Sequence, residues 1–229
     1  VLFRSLALIV SLKDSLDKFS EFFRDNKNKI EKITSQKLEI TYILNDRVEK
    51  DLQFSEAVEY KNAEITDDYH KILADSEIDI IIDFSRHRDP ADYLLQALKY
   101  KKTMVTTNLK VISENYSDVK KLEKKYQTKV YFSALFSPLP LKALTDNFYA
   151  LDELKELNAV LNATTNYVLA EMEKNTISMK ETIEQAKELS YTEQDTDLDL
   201  NGLDSLNKII LLANLFYNTS SPGCILILN

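Results

Sequence analysis

Glycine is what this sequence most conspicuously does without. Gly202 and Gly223 are the only two in 229 residues, where an average chain of that length holds about 16. Bare backbone is what lets a G-x-G-x-x-G turn close on a phosphate, so no such turn can be assembled from these residues. Cysteine is equally scarce. Cys224 stands alone and cannot close an internal disulfide, which fits a reducing cytosol. His70 and His87 are the only histidines, and neither has neighbours at ligand spacing, so no metal cluster is expected. Basic charge is in deficit, with a net charge of −8 and a pI near 5.0, which argues against a general affinity for nucleic acid or an anionic membrane. The pairs Lys120-Lys121 and Lys124-Lys125 alternate with Asp118 and Glu123 and read as a solvated helix face. No window reaches the roughly 20 apolar residues of a membrane span. The opening run VLFRSLALIV is interrupted by Arg4 and followed by no small-residue cleavage site, so it reads as the start of a helix, not a signal peptide. These absences together point to a cytoplasmic protein.

What is present is a core-forming 44% of hydrophobic residues, enough for one large domain or two modest ones. Residues 2–24 carry a helical pattern, and residues 38–44 (LEITYIL) a β-rich run that ends in Asn45-Asp46-Arg47. A helical stretch over 67–74 precedes 78–84 (IDIIIDF), whose apolar centre suits a strand buried on both faces. Pro90 opens a helix running to about residue 100, followed by a strand at 103–107, a helix through 118–126 and a strand at 129–134. Strand and helix taking turns predict an α/β fold with a doubly wound parallel sheet. The rhythm changes near Ser137-Pro138-Leu139-Pro140. Beyond it we expect a helix (141–149), a strand (154–161) and helices near 165–174, 179–189 and 203–216, and we place a domain boundary between 136 and 137.

Residues 189–217, LSYTEQDTDLDLNGLDSLNKIILLANLFY, hold the densest chemistry. Glu193, Asp195, Asp197 and Asp199 lead through Asn201-Gly202 into an apolar helix that carries Asp204 and Lys208 four residues apart on one face. Apolar positions surround that helix almost completely, so burial is expected. A lysine there needs a partner, and a lysine among carboxylates has a proton affinity suited to acid–base work. An acidic loop followed by an exposed ion pair reads the same residues equally well.

The segment resembles the signature of homoserine dehydrogenases, A-x-x-x-G-Y-x-E-x-D-P-x-x-D-x-x-G-x-D-x-x-x-K. Ala186, Tyr191, Glu193, Asp195, Asp199, Gly202, Asp204 and Lys208 fall at its spacing over twenty-three residues, while Ser190 replaces a glycine and Thr196 the proline. Asn162-Ala163-Thr164-Thr165-Asn166-Tyr167 is similar to the family's N-G-T-T-N-Y, and Val105-Thr106-Thr107-Asn108-Leu109-Lys110 to its V-T-A-N-K, with Leu109 at the lysine. Phe132 to Pro140 stands where the family has an E-x-x-V-G-x-G-x-P-like loop, Phe132 taking the place of a carboxylate associated with sodium and only Pro140 matching outright.

The resemblance implies a Rossmann-like NAD(P)-binding domain over 1–136 and an α+β catalytic and dimerisation domain over 137–229. It places Val1 to Leu6 just after the family's glycine turn, so that the first strand and the turn are missing and the chain reads as part of a longer protein. It further implies reversible hydride transfer between NADP or NAD and L-aspartate 4-semialdehyde, giving L-homoserine for threonine and methionine biosynthesis, in a homodimer. Lys208 would donate the proton and Asp204 position it. Glu193 would receive the substrate ammonium and Asp199 complete the pocket. Asn162, Thr164 and Thr165 would offer donors to substrate or simply cap a helix. On the cofactor side stand Ser85, which reads equally as a helix N-cap before Pro90, and Asn108. Arg47 beside Asp46 leaves the choice of NADP or NAD open. Lys110, about 100° round a helix from Leu109, is the remaining candidate. Loss of the Leu109 lysine and of the loop glycines leaves a second reading: a catalytically impaired homologue kept for dimerisation or ligand sensing.

Overall fold

The computed structural model describes residues 2–10, 13–45, 60–85, 90–132, 136, 155–175, 177–188 and 201–217. The chain divides into two compact units, Val1–Leu139 and Pro140–Asn229.

The first unit is a six-stranded parallel sheet. Its elements are β1 (Leu2–Val10), α1 (Lys13–Thr34), β2 (Gln36–Asn45), β3 (Glu64–Thr66), α2 (Tyr69–Ala74), β4 (Ile78–Phe84), α3 (Pro90–Lys99), β5 (Thr103–Thr106), α4 (Leu109–Tyr126) and β6 (Val130–Tyr131). The strands lie in the order β3-β2-β1-β4-β5-β6, and every neighbouring pair is parallel. This is the doubly wound arrangement expected from the alternation.

The opening residues correct the sequence reading. The first strand is not missing: residues 2–10 form it, and it sits at the centre of the sheet, where Leu8 faces Ile43 of β2 on one side and Ile82 of β4 on the other. A helix over 2–24 was expected from the helical pattern of its apolar residues. A strand covered on both faces needs no alternation, however, and a short apolar run fits either element. Leu6 to Val10 are all 4% exposed or less. The helix begins only where Lys13 and Asp14 supply polar residues, and its apolar side, Leu16 and Phe23 with Phe19, closes over Leu6, Leu8, Val10, Ile40 and Ile43.

Scarcity of glycine shows at the helix ends. Ser35, Lys101 and Gln127 take left-handed backbone angles, φ 56°, 60° and 56°, at positions where glycine is the usual C-terminal stop. After α3 the Lys101 and Lys102 amides reach back to the Leu98 and Ala97 carbonyls, and after α4 the Gln127 and Thr128 amides both reach Glu123. The carbonyls are satisfied, while the backbone bears the strain of a side chain in the left-handed region.

The second unit contributes α5 (Ala163–Asn175), α6 (Met179–Glu188) and α7 (Leu203–Tyr217). Ser178 and Glu181 form a reciprocal cap on α6, the Glu181 carboxylate accepting from the Ser178 amide at 3.0 Å and the Ser178 hydroxyl accepting from the Glu181 amide at 3.4 Å. Two expectations change here. Residues 155–162 form neither helix nor paired strand, and Val160 is 76% exposed; a strand exists only with a ladder partner, and among the described residues this segment has none. The α7 helix is buried at Leu211, Leu212 and Ala213, whereas Leu203 and Leu206 at its start are exposed, so burial is not complete around it.

Candidate functional site

In the second unit the decisive geometry surrounds Lys208. Its ammonium donates to Asp204 Oδ2 at 2.7 Å and to the Leu161 carbonyl at 2.9 Å. The pair is one helical turn apart on α7, and the two side chains remain 21% and 24% exposed, so the site is open at one side instead of sealed. Asn162 Nδ2 donates to the same Asp204 Oδ2 at 3.1 Å. Its Oδ1 accepts from the Thr165 amide at 2.8 Å, making Asn162 the N-cap of α5. Thr164 is buried and Thr165 half-buried on the first turn of that helix. The structure therefore brings together Lys208, Asp204 and Asn162. Glu193 and Asp199 lie outside the described residues.

In the first unit the carboxyl ends of β1 and β4 mark the point where the strand order reverses, the place where an open α/β sheet leaves a crevice. Asp83, 2% exposed, organises that end. Its Oδ1 accepts from the Ser85 amide at 2.8 Å and the Ser85 hydroxyl at 2.5 Å, and its Oδ2 from the Thr106 hydroxyl at 2.8 Å. Thr106 in turn accepts from the Asn108 amide at 3.0 Å, and Asn108 Nδ2 donates to the Ser85 carbonyl at 3.3 Å. Asn108 Oδ1 caps α4 through the Val111 amide. A closed circuit thus ties β4 to β5 and to the start of α4. Nearby, Tyr69 donates to the Tyr93 carbonyl at 2.9 Å, and burial first, then the charge of Asp83, raises its phenol well above the ordinary tyrosine value.

These positions revise one assignment and locate others. Ser85 does not cap α3, which starts five residues later; its hydroxyl is turned inward to Asp83, and the residue is 2% exposed. Lys110 is exposed and lies 3.9 Å from Glu114 on its own helix. Arg47 is outside the described residues. Phe132, at the place of a family carboxylate, is 1% exposed and packs edge-on against Tyr116. No group of three His, Cys, Asp or Glu capable of holding a metal occurs among the described residues. Asp83 and the Leu161 carbonyl were not anticipated. An aspartate inside the otherwise apolar IDIIIDF was the available signal for the first; a backbone carbonyl leaves no mark in a sequence. A half-open groove of about 470 Å³ between α1 and the start of β2, lined by Arg24, Lys27, Glu31 and Lys37 among others, lies toward the amino end of β2, away from the strand ends that form the crevice.

Residues 18–133, more than half of the chain, match the homoserine dehydrogenase NAD binding domain, and residues 140–222 match the homoserine dehydrogenase domain that follows it. The chain belongs to the homoserine dehydrogenase family. The homoserine dehydrogenase of Lactococcus lactis is 27% identical over 201 residues, covering 86% of this chain and 46% of the relative. That of Helicobacter pylori is 32% identical over 158 residues, 67% of this chain and 37% of the relative. The chain therefore spans less than half the length of these relatives. Among solved structures, Staphylococcus aureus homoserine dehydrogenase superposes with a TM-score of 0.71 at 21% identity over 96% of this chain and 50% of that one. A hyperthermophilic archaeal homoserine dehydrogenase in complex with NADPH superposes with a TM-score of 0.76 at 20% identity over 95% and 71%. At those identities the likeness shows the fold.

The NAD binding domain can be tested against its own residues. Strand order, the crevice between β1 and β4 and the fixed ends of β4 and β5 suit a dinucleotide. The sequence between β1 and α1 departs from the family pattern: Val10 ends the strand, Lys13 starts the helix, and Ser11 and Leu12, which lie outside the described residues, include no glycine. The close approach that glycine permits between helix and strand is also replaced, because Phe19 of α1 meets Phe84 of β4 with ring centroids 5.3 Å apart.

Proposed function

We propose that this chain serves NAD(P)-dependent interconversion of L-aspartate 4-semialdehyde and L-homoserine, a step toward threonine and methionine, in a cytoplasmic homodimer. The observation that supports it most directly is the Lys208 ammonium held by Asp204 and the Leu161 carbonyl, within residues matched by the family's second domain. A bound nicotinamide would supply the hydride. Lys208 gives a proton to the developing alkoxide, and Asp204 keeps the amine oriented and charged until it does. Glu193 and Asp199 are proposed to bind the substrate's ammonium and complete the polar pocket, with Thr164 and Thr165 lining it. Ser85 and Asn108 shape the cofactor crevice, Ser85 through its backbone and its bond to Asp83; Arg47 and Lys110 are the candidates for the phosphate-bearing end.

A second reading, a catalytically impaired homologue kept for dimerisation or ligand sensing, is favoured by two departures: Leu109 in place of the V-T-A-N-K lysine, and a β1–α1 turn without glycine. The two readings separate when an absorbance assay of turnover is set beside a fluorescence measurement of dinucleotide binding. Oxidation of NADPH or NADH by aspartate semialdehyde in the intact protein, abolished in Lys208→Ala, supports the enzyme. Dinucleotide binding by fluorescence without turnover supports the impaired homologue.

A further inference from the structure

We propose that Asn162 is a positioning residue for the Lys208–Asp204 pair, acting beneath the pair and not on substrate. This rests on the function proposed above for the same site. Asn162 is 7% exposed, and both ends of its carboxamide are engaged. Oδ1 receives the Thr165 amide at the start of α5, and Nδ2 donates to Asp204, 42 residues further along the chain. The oxygen it reaches, Asp204 Oδ2, is the one that holds Lys208.

The preceding residue completes the arrangement. The Leu161 carbonyl takes the second contact of the Lys208 ammonium, so the Leu161-Asn162 dipeptide binds both members of the pair, its carbonyl to the cation and its amide to the anion. An aspartate and lysine four residues apart on a partly exposed helix face hold each other only weakly. Tethering both to the N-cap of a neighbouring helix restricts their rotamers. It also fills Asp204 Oδ2 with two donors and leaves Oδ1, which has no partner among the described residues, as the oxygen available to a ligand.

A neutral amide is the group this position requires. Aspartate would cap α5 as well as asparagine does, yet it would set a like charge against Asp204. Among the described residues Asp204 is the one charged side chain on Lys208, so a new carboxylate nearby registers in the lysine's titration.

The test compares Asn162→Asp with the unaltered intact protein. Nitrogen-15 NMR titration of the isotope-labelled, otherwise unmodified protein reads the Lys208 amine, assigned by its loss in Lys208→Ala. The expected result is a midpoint raised by roughly half to one pH unit, a melting temperature within about 2 °C because the cap is kept, and a kcat at least tenfold lower with KM for the semialdehyde within about twofold. A Lys208 titration that does not move, or a loss confined to KM, overturns the proposal. If the unaltered protein shows no turnover, the proposed function fails by itself and the titration decides the role of Asn162. If the aspartate variant does not fold, Asn162→Ser, which keeps a capping oxygen and takes away the longer amide arm that reaches Asp204, is judged by the same kcat and KM split and by the same reversal.

Discussion

The Lys208 ammonium lies 2.9 Å from the carbonyl of Leu161, 47 residues earlier in the chain. That contact, with Asp204 on the other side, presents the amine as a fixed donor. It also separates charge from acid function. Lys208→Arg keeps a cation at the position, but a guanidinium does not release its proton in this pH range. We expect kcat for semialdehyde reduction to fall on the order of 10²–10³-fold in both Lys208→Arg and Lys208→Ala, with KM less affected in the arginine variant. Steady-state rates at saturating reduced nicotinamide measure this. An arginine variant retaining more than about a tenth of the activity would leave Lys208 a purely electrostatic role.

Two glycines placed in the β1–α1 turn provide the next test. Ser11 and Leu12 stand between the end of β1 and the start of α1, where family members let bare backbone approach the pyrophosphate. Ser11→Gly with Leu12→Gly is expected to tighten NADPH binding by roughly tenfold, about 1.4 kcal/mol, in a fluorescence titration. Unchanged affinity would mean that the dinucleotide makes no use of this turn.

How far the sequence alone reached depends on the kind of information each feature carries. The alternation of β-rich and helical segments after residue 36 pointed to the parallel sheet, because apolar runs and helix starts such as Pro90 leave local marks, whereas the helix expected through 118–126 begins already at Leu109. The Asp204–Lys208 pair was legible because a four-residue spacing fixes one helix face. β1 was misread as helix since a strand covered on both sides loses the two-residue period that would identify it. Among the described residues, 155–161 have no ladder partner where a strand over 154–161 was expected, since β propensity says nothing about whether a partner is present. Ser85 was read as a cofactor contact or a helix N-cap; that its hydroxyl turns to Asp83 was not legible, because the arrangement depends on Thr106 and Asn108, which come from a different strand and helix.

Lys102 offers a pH test independent of activity. It is 5% exposed, and its ammonium donates to the carbonyls of Asp75 and Ile78. Burial lowers its affinity for the proton below the ordinary lysine value of 10.5, against the opposing pull of Asp75 and Asp79. The unfolded chain therefore binds more protons than the folded one between the lowered midpoint and 10.5, and the lysine's contribution to stability rises with pH across that window. Chemical denaturation at several pH values from 8 to 10.5 should show this rise, and Lys102→Met should flatten it while lowering stability throughout by freeing two carbonyls. An identical pH slope in the variant would contradict the sign.

Glycine scarcity makes a prediction in the opposite direction from most mutagenesis. Gln127 ends α4 with φ 56° and ψ 41°, and Lys101 follows α3 with φ 60°. A side chain in this region destabilises the fold by about 1 kcal/mol or more, and glycine relieves the clash while giving back part of the gain through a more flexible unfolded chain. Gln127→Gly and Lys101→Gly should each stabilise the protein by about 0.5–1 kcal/mol, because the carbonyls they cap are reached by backbone amides that glycine retains. Tyr126→Gly, one residue inside α4, is the control, expected to destabilise by a similar amount. Denaturant midpoints at fixed slope measure all three. Destabilisation by Gln127→Gly would show that its side chain, whose Nε2 donates to the Lys124 carbonyl at 2.8 Å, contributes more than the strained backbone loses.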